Sequence, residues 1–295
     1  MRRRRYEVRH ERIAMSGFLD DMARSSAERV TQALLKESLD ELQRRAKAAN
    51  PSAPLRLSKA GFDVIAELKL RSPAAGALSE PSDDWLKRVV DYARGGAAAV
   101  SVLTEPSRFD GSLEHLRQAS QALGPLGVPA MRKDFLVDPY QVLEARAAGA
   151  GGVLVIVRML SHSQMTALLD VAAEHGMFVL LEAFDAADLA AARELLALRE
   201  GGRANHGRAD NILVGINCRD LQTLKIVPER FETLAPQLPG GWPAVAESGV
   251  ASAADALRMM HLGYRVALIG TALMSRDDPA QLLREILATT RTVES

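Results

Sequence analysis

Cysteine is almost missing from this chain. The single Cys218 cannot form an intramolecular disulfide, which fits a reducing compartment, and it reads as a small buried residue rather than a catalytic thiol. Net charge is missing as well: 37 Lys and Arg stand against 37 Asp and Glu. A balanced chain offers no general electrostatic argument for nucleic-acid or membrane partners. No stretch approaches the roughly 18 apolar residues of a membrane span. The basic N-terminus, MRRRRYEVRHER, lacks the apolar run of a secretory signal. His10, His115, His162, His175, His206 and His261 are scattered, with no metal-ligand spacing among them. These absences lead us to expect a cytoplasmic protein without a metal.

What is present is a rhythm. Residues 1–17 read as a flexible basic tail, with Met15 as a candidate internal start. From Phe18 to Ala49 apolar residues recur at helical spacing, Leu34, Leu35, Leu39 and Leu42 among them, and Asn50-Pro51 ends the segment. Short apolar runs then alternate with amphipathic stretches. Eight runs begin at Asp63, Ala98, Val128, Gly152, Met177, Ile212, Pro243 and Val266. Their spacing of about 23 to 35 residues is that of a strand plus a crossover helix. Runs apolar on both faces belong to parallel strands covered by helices, and eight such units predict a closed (β/α)8 TIM barrel. Such barrels use about 250 residues, so the 295 present leave room for an N-terminal helical extension over 18–50, within one domain spanning 18–295. The polar stretch Arg199 to Asp210 reads as a surface loop.

In barrels of this kind the active site lies at the C-terminal ends of the strands. Polar residues interrupt the apolar runs at those ends: Glu67 and Lys69, Lys133, Glu182, Asn217 and Arg219, Glu247 and Ser248, and Gly270 and Thr271. Residues two apart share a face, so Glu67 points with Lys69 and Asn217 with Arg219. Two lysines and three carboxylates then meet at one mouth, an arrangement costly to desolvate unless the charges are paired or used. The small residues of AESGV and IGTAL, after the last two strands, suit a phosphate grip. SPAAG, from Ser72 to Gly76, reads as a mobile loop over the mouth.

The ordered set VIAELKLRSPAAG, SVLTEPSRFDGS, PAMRKDFLVDPYQVLEARAAGA, LLEAFD, VGINCRDL, VAESGV and LIGTALM resembles the indole-3-glycerol-phosphate synthase family. The resemblance runs from about Phe18 to the last helix. It implies ring closure, with loss of carbon dioxide and water, on a small phosphorylated substrate made from anthranilate, and no cofactor. By position, Lys133 matches the family's general acid and Glu182 its general base. Lys69 matches the lysine that holds the anthranilate carboxylate or assists dehydration, with Glu67 coupled to it. Asn217, Arg219 and Glu247 match residues that hold this network and the substrate hydroxyls. Ser72, Ser248, Gly249, Gly270 and Thr271 match the phosphate end. The resemblance implies a monomer or weak homo-oligomer. Departures are the Leu70-Arg71 order, the loop 72–76 without its second hydroxyl and cation, Phe184 in place of a polar residue, and the insertion at 199–210. They suit a specialised copy acting on a substituted anthranilate derivative. A Schiff-base aldolase using Lys133 or Lys69, and a non-catalytic binding protein, are the competing readings.

Overall fold

The computed structural model describes residues 17–59, 61–72, 76–77, 84–206, 211–221 and 223–291. The basic tail expected over 1–17 falls, but for Gly17, outside them.

Eight parallel strands close on themselves: β1 (Asp63–Leu68), β2 (Ala99–Leu103), β3 (Ala130–Lys133), β4 (Gly152–Ile156), β5 (Phe178–Ala183), β6 (Ile212–Asn217), β7 (Ala244–Glu247) and β8 (Val266–Ile269). Neighbours in sequence are neighbours in the barrel. Pairing of β1 with β8, from Asp63↔Val266 to Ala66↔Ile269, closes the ring. Every strand begins within two residues of its expected start. Each apolar run splits into two faces by alternation. Val64, Ala66, Val100, Val153, Val155, Val179, Leu181, Val214, Ile216, Ala246 and Ala267 face the helical shell. Ile65, Ala99, Met131, Leu154, Phe178, Leu180, Leu213, Val245, Val266 and Leu268 fill the barrel.

Helices between strands start on side-chain caps. Asp138 accepts from the Tyr140 amide ahead of Pro139, Ser161 from Gln164 and Ser252 from Asp255. Gly176 and Gly263, at φ 67° and 93°, end two of them as expected.

One expectation gains detail and another needs correction. The helical extension expected over 18–50 is present as two helices, α1 (Phe18–Leu34) and α2 (Leu39–Ala48). A capping box breaks them: Glu41 N–H donates to Ser38 Oγ, and Ser38 N–H donates to the Glu41 carboxylate. The elbow turns Leu34, Leu35 and Leu39 outward, with Leu35 77% exposed, and leaves only Leu42 of that series in the core. The buried face of α1 is Leu19, Met22, Ser26 and Val30. The correction concerns the insertion at 199–210. The helix that begins at Ala186 continues to His206, so most of the insertion lengthens a helix instead of forming a loop. Helical hydrogen bonding carries through Gly201 and Gly202, whose cost of about 1 kcal/mol each is met by the good helix formers before them. Among the described residues, no helix is long and apolar enough to cross a membrane.

Candidate active site

Alternation along the strands puts one layer of polar side chains above the apolar filling. Ile65 is followed two residues later by Glu67, Met131 by Lys133, Leu180 by Glu182 and Val245 by Glu247. These side chains line a single cavity of about 360 Å³. Its walls include Glu67, Lys69, Lys133, Glu182, Asn217, Arg219, Glu247, Ser248, Gly249, Gly270 and Thr271. Ser72 lies in a short antiparallel ribbon, Arg71–Ser72 with Gly76–Ala77, beyond β1. Its side chain and the loop 73–75 are outside the described residues.

The charges form two linked groups. Lys133 Nζ lies 3.3 Å from Glu182 and 3.8 Å from Glu247, and Lys69 Nζ lies 3.0 Å from Glu67. Asn217 Nδ2 donates to Glu182 Oε1 at 2.6 Å, and Asn217 Oδ1 accepts from the Arg219 amide at 2.8 Å, which orients the Asn217 amide. Arg219 Nη1 donates to the Leu224 carbonyl. Glu67, Glu182 and Glu247 are all buried.

Burial works against the charged form of each group, and the neighbours decide the outcome. For Lys133, burial alone lowers the pKa. Glu182, Glu247 and Glu67 together outweigh it and hold the ammonium well above the ordinary lysine value. For Glu67, burial raises the pKa and Lys69, Lys133 and Arg219 outweigh it, so the carboxylate sits below its ordinary value. Glu247 goes the other way. Burial and the adjacent Glu182 push it well above the ordinary carboxyl value despite Lys133. Neither of its oxygens has a hydrogen-bond partner among the described residues. The mouth thus holds an amine whose proton is held more tightly than usual beside a carboxyl whose pKa is raised, within 4 Å of each other. A Schiff-base nucleophile needs the opposite of what Lys133 has, a free amine near neutral pH.

Part of the lining is apolar. Phe18 from α1, Phe109 after β2 and Phe135 after β3 meet there, with ring centroids 5.7 Å apart for Phe18–Phe135 and 6.3 Å for Phe109–Phe135. Leu154, Ile156 and Phe184 complete it. The Phe184 ring lies under the Arg158 guanidinium at 4.7 Å, and its amide donates to Asp188. Phe18, Phe109 and Phe135 are not among the site residues expected from the sequence. Their signal was present only as phenylalanines just beyond strand ends or at the start of the extension.

A buried polar cluster, also unforeseen, ties the extension to this mouth. Asp134, next to Lys133, receives both terminal nitrogens of Arg29 at 2.8 and 2.7 Å, Thr104 Oγ1 at 2.7 Å and Arg132 at 3.1 Å. Its carboxylate is held far below the ordinary value: burial opposes this, and Arg29 and Arg132 prevail. At the far side of the mouth Ser248 takes a left-handed conformation, φ 63°, followed by Gly249 at φ 105°. Such a backbone at a non-glycine residue costs of order 1 kcal/mol or more and clusters at ligand sites.

Comparison with known proteins bears on the fold and the family. Solved structures with the same fold include 3-hexulose-6-phosphate synthase from Salmonella typhimurium, with a TM-score of 0.57 at 18% identity over 77% of this chain and 98% of that one. At that identity the likeness speaks for the fold alone. Among curated relatives, the indole-3-glycerol phosphate synthase of Parafrankia sp. strain EAN1pec is 38% identical across 93% of this chain and 95% of its own. That of Nocardioides sp. strain JS614 is 42% identical across 77% and 80%. The family model described as indole-3-glycerol phosphate synthase matches residues 19–286, nearly the whole described barrel and its extension, and the chain belongs to that family.

Proposed function

We infer that the chain converts 1-(2-carboxyphenylamino)-1-deoxyribulose 5-phosphate into indole-3-glycerol phosphate, carbon dioxide and water, a step of tryptophan biosynthesis. The ring carbon that bears the carboxylate attacks the substrate's ketone, and a new carbon–carbon bond forms. Lys133 gives its proton to the developing alkoxide, a stronger base than any amine, so a firmly protonated ammonium suits the task. Loss of carbon dioxide returns the electron pair to the ring. The new hydroxyl then takes up a proton and leaves as water, while Glu182 accepts the proton that the nascent indole gives up. Lys69, with Glu67 at 3.0 Å, holds the anthranilate carboxylate or serves the dehydration. Asn217 orients Glu182, and Arg219 and Glu247 face the substrate hydroxyls. Ser72, Ser248, Gly249, Gly270 and Thr271 form the phosphate end.

One observation carries this reading: a part-buried ammonium bracketed by two carboxyls opens onto a cavity that aromatic and apolar side chains also line. That combination suits a substrate with an aryl ring at one end and a phosphorylated polyol at the other. Fluorescence of indole-3-glycerol phosphate, followed with purified protein and the unsubstituted substrate, tests it. Product formation is expected, without covalent mass addition under borohydride. Turnover of a ring-substituted substrate alone would move the reading to a specialised copy. Borohydride trapping of Lys133 or Lys69 would move it to an aldolase.

A further inference from the structure

Glu247 poses a steric question. Its carboxyl is 1% exposed and has no hydrogen-bond partner among the described residues, and Lys133 is 3.8 Å away. Hydrogen bonds therefore do not fix where it points. The neighbouring strand does. Along β6 the inward positions are Leu213, Gly215 and Asn217, and Gly215 pairs in register with Glu182 on one side and Val245 on the other. A Cβ built on Gly215 would lie 2.1 Å from Glu247 Oε1, 3.1 Å from its Cδ and 3.0 Å from Leu180 Cδ1. The carboxyl lies on bare backbone, in the space a side chain would fill. Gly215 does not have positive φ, so no turn requires a glycine there. A parallel case supports the reading. A Cβ on Gly270 would lie 2.5 Å from Glu67 Oε1, but Glu67 is also held by Lys69 at 3.0 Å, whereas the ion pair of Glu247 with Lys133 is longer, at 3.8 Å.

We propose that Gly215 is a positioning residue for the reaction: its missing side chain is the berth of the Glu247 carboxyl, held by shape so that both oxygens stay available to the hydroxyl groups of the substrate's sugar-derived chain. The claim about those hydroxyls rests on the function inferred above. The berth itself does not.

The test places Gly215→Ala in two backgrounds, wild type and Glu247→Ala, with thermal melts and steady-state kinetics. In wild type the added methyl drives the carboxyl out of its place. The melting temperature falls by roughly 3–10 °C, the scale of overpacking in a domain of this size. kcat falls about 10- to 100-fold, the effect of a misplaced group near the chemistry, with a smaller change in KM. The limb of the pH–rate profile that belongs to the displaced carboxyl shifts. In the Glu247→Ala background the methyl enters vacated space, so the melting temperature holds or rises. Gly152→Ala, whose Cβ would meet the Phe178 ring at 2.4 Å, is the control. It lowers stability without moving the pH profile. Equal destabilisation by Gly215→Ala in both backgrounds, or a double variant that does not fold, overturns the berth. Thermal coupling with kcat and pH profile unmoved keeps the berth and overturns the role assigned to Glu247.

Discussion

Replacement of Lys133 by Met separates catalysis from folding. Methionine keeps an unbranched chain of similar length and removes the charge. At an effective dielectric of about 20, the contact to Glu182 at 3.3 Å is worth roughly 5 kcal/mol of gross attraction; Glu247 at 3.8 Å, whose pKa is raised, adds less. Desolvating the ammonium costs several kcal/mol, so most of that attraction is already offset. Glu182 keeps its bond from Asn217, and burial and Glu182 already raise the pKa of Glu247, so it takes up a proton more readily than an ordinary carboxylate. The net loss of stability is therefore about 1–3 kcal/mol, a shift of a few degrees in Tm. The rate has no such compensation, because no other cation lies between those two carboxyls. A positioned acid contributes about 10²–10⁴-fold, or roughly 2.7–5.4 kcal/mol of barrier. Circular dichroism establishes the folded fraction at the assay temperature, and the fluorescence assay gives kcat for that fraction. A folded Lys133→Met protein turning over within about threefold of wild type would refute the assignment.

Three further outcomes follow from the ionisation of buried groups. Because the folded state holds the Glu247 proton more tightly than the unfolded chain does, stability declines as pH rises from the unfolded carboxyl value near 4.3 through the raised one. Glu247→Gln escapes that decline and melts a few degrees above wild type at pH 8, with the difference closing at pH 4; an equal difference at both pH values contradicts the raised pKa. Asp134 has the opposite sign: its lowered pKa stabilises the fold above about pH 3.9, and this is lost as pH falls through the folded value. Breaking its paired charges with Asp134→Asn costs about 3–5 kcal/mol by urea unfolding between pH 5 and 8, and the gap narrows only in stronger acid. Cys218 is fully buried, and burial pushes its thiol up to about 12. A thiol reagent at pH 8 leaves it unmodified in the folded protein and reacts once the chain is denatured; rapid labelling of the native state would contradict this placement.

The barrel was legible because each strand carries its own signal: DVIAEL or GVLVIV is apolar on both faces, and the chain has no other use for eight such runs. The mouth was legible because charge at a strand's C-terminal end cannot be explained by packing. Other features were hidden for definite reasons. Phe18, Phe109 and Phe135 look like core residues in any one-dimensional reading, and only the closed barrel shows that they border a cavity. The Arg29–Asp134 pair joins residues 105 apart, with nothing local to announce it. The elbow between α1 and α2 had a readable sign, Ser38 three residues before Glu41, but the leucine periodicity spoke louder, and three of those leucines are exposed. Polar composition argued for a loop at 199–210, yet composition alone does not interrupt a helix already begun.

The position of the polar layer fits a demand of function and not of folding. On β3, β5 and β7 a single step of two residues separates Met131, Leu180 and Val245 from Lys133, Glu182 and Glu247. The backbone pairing is the same at both levels, so the strands gain nothing structural from charge at the upper one. At the opposite end of the barrel Asp63 is fully answered by Ser58 and Arg291. The Glu247 carboxyl, by contrast, is buried without a hydrogen bond among the described residues, a condition that costs about 1–3 kcal/mol. A carboxyl retained at that cost, on the inner face of an otherwise well-packed barrel, is best explained by a partner that arrives with the substrate. Ligand binding should then satisfy Glu247 and raise Tm more in wild type than in Glu247→Ala at equal saturation. The same gain in both would show that the carboxyl's partner is not the substrate.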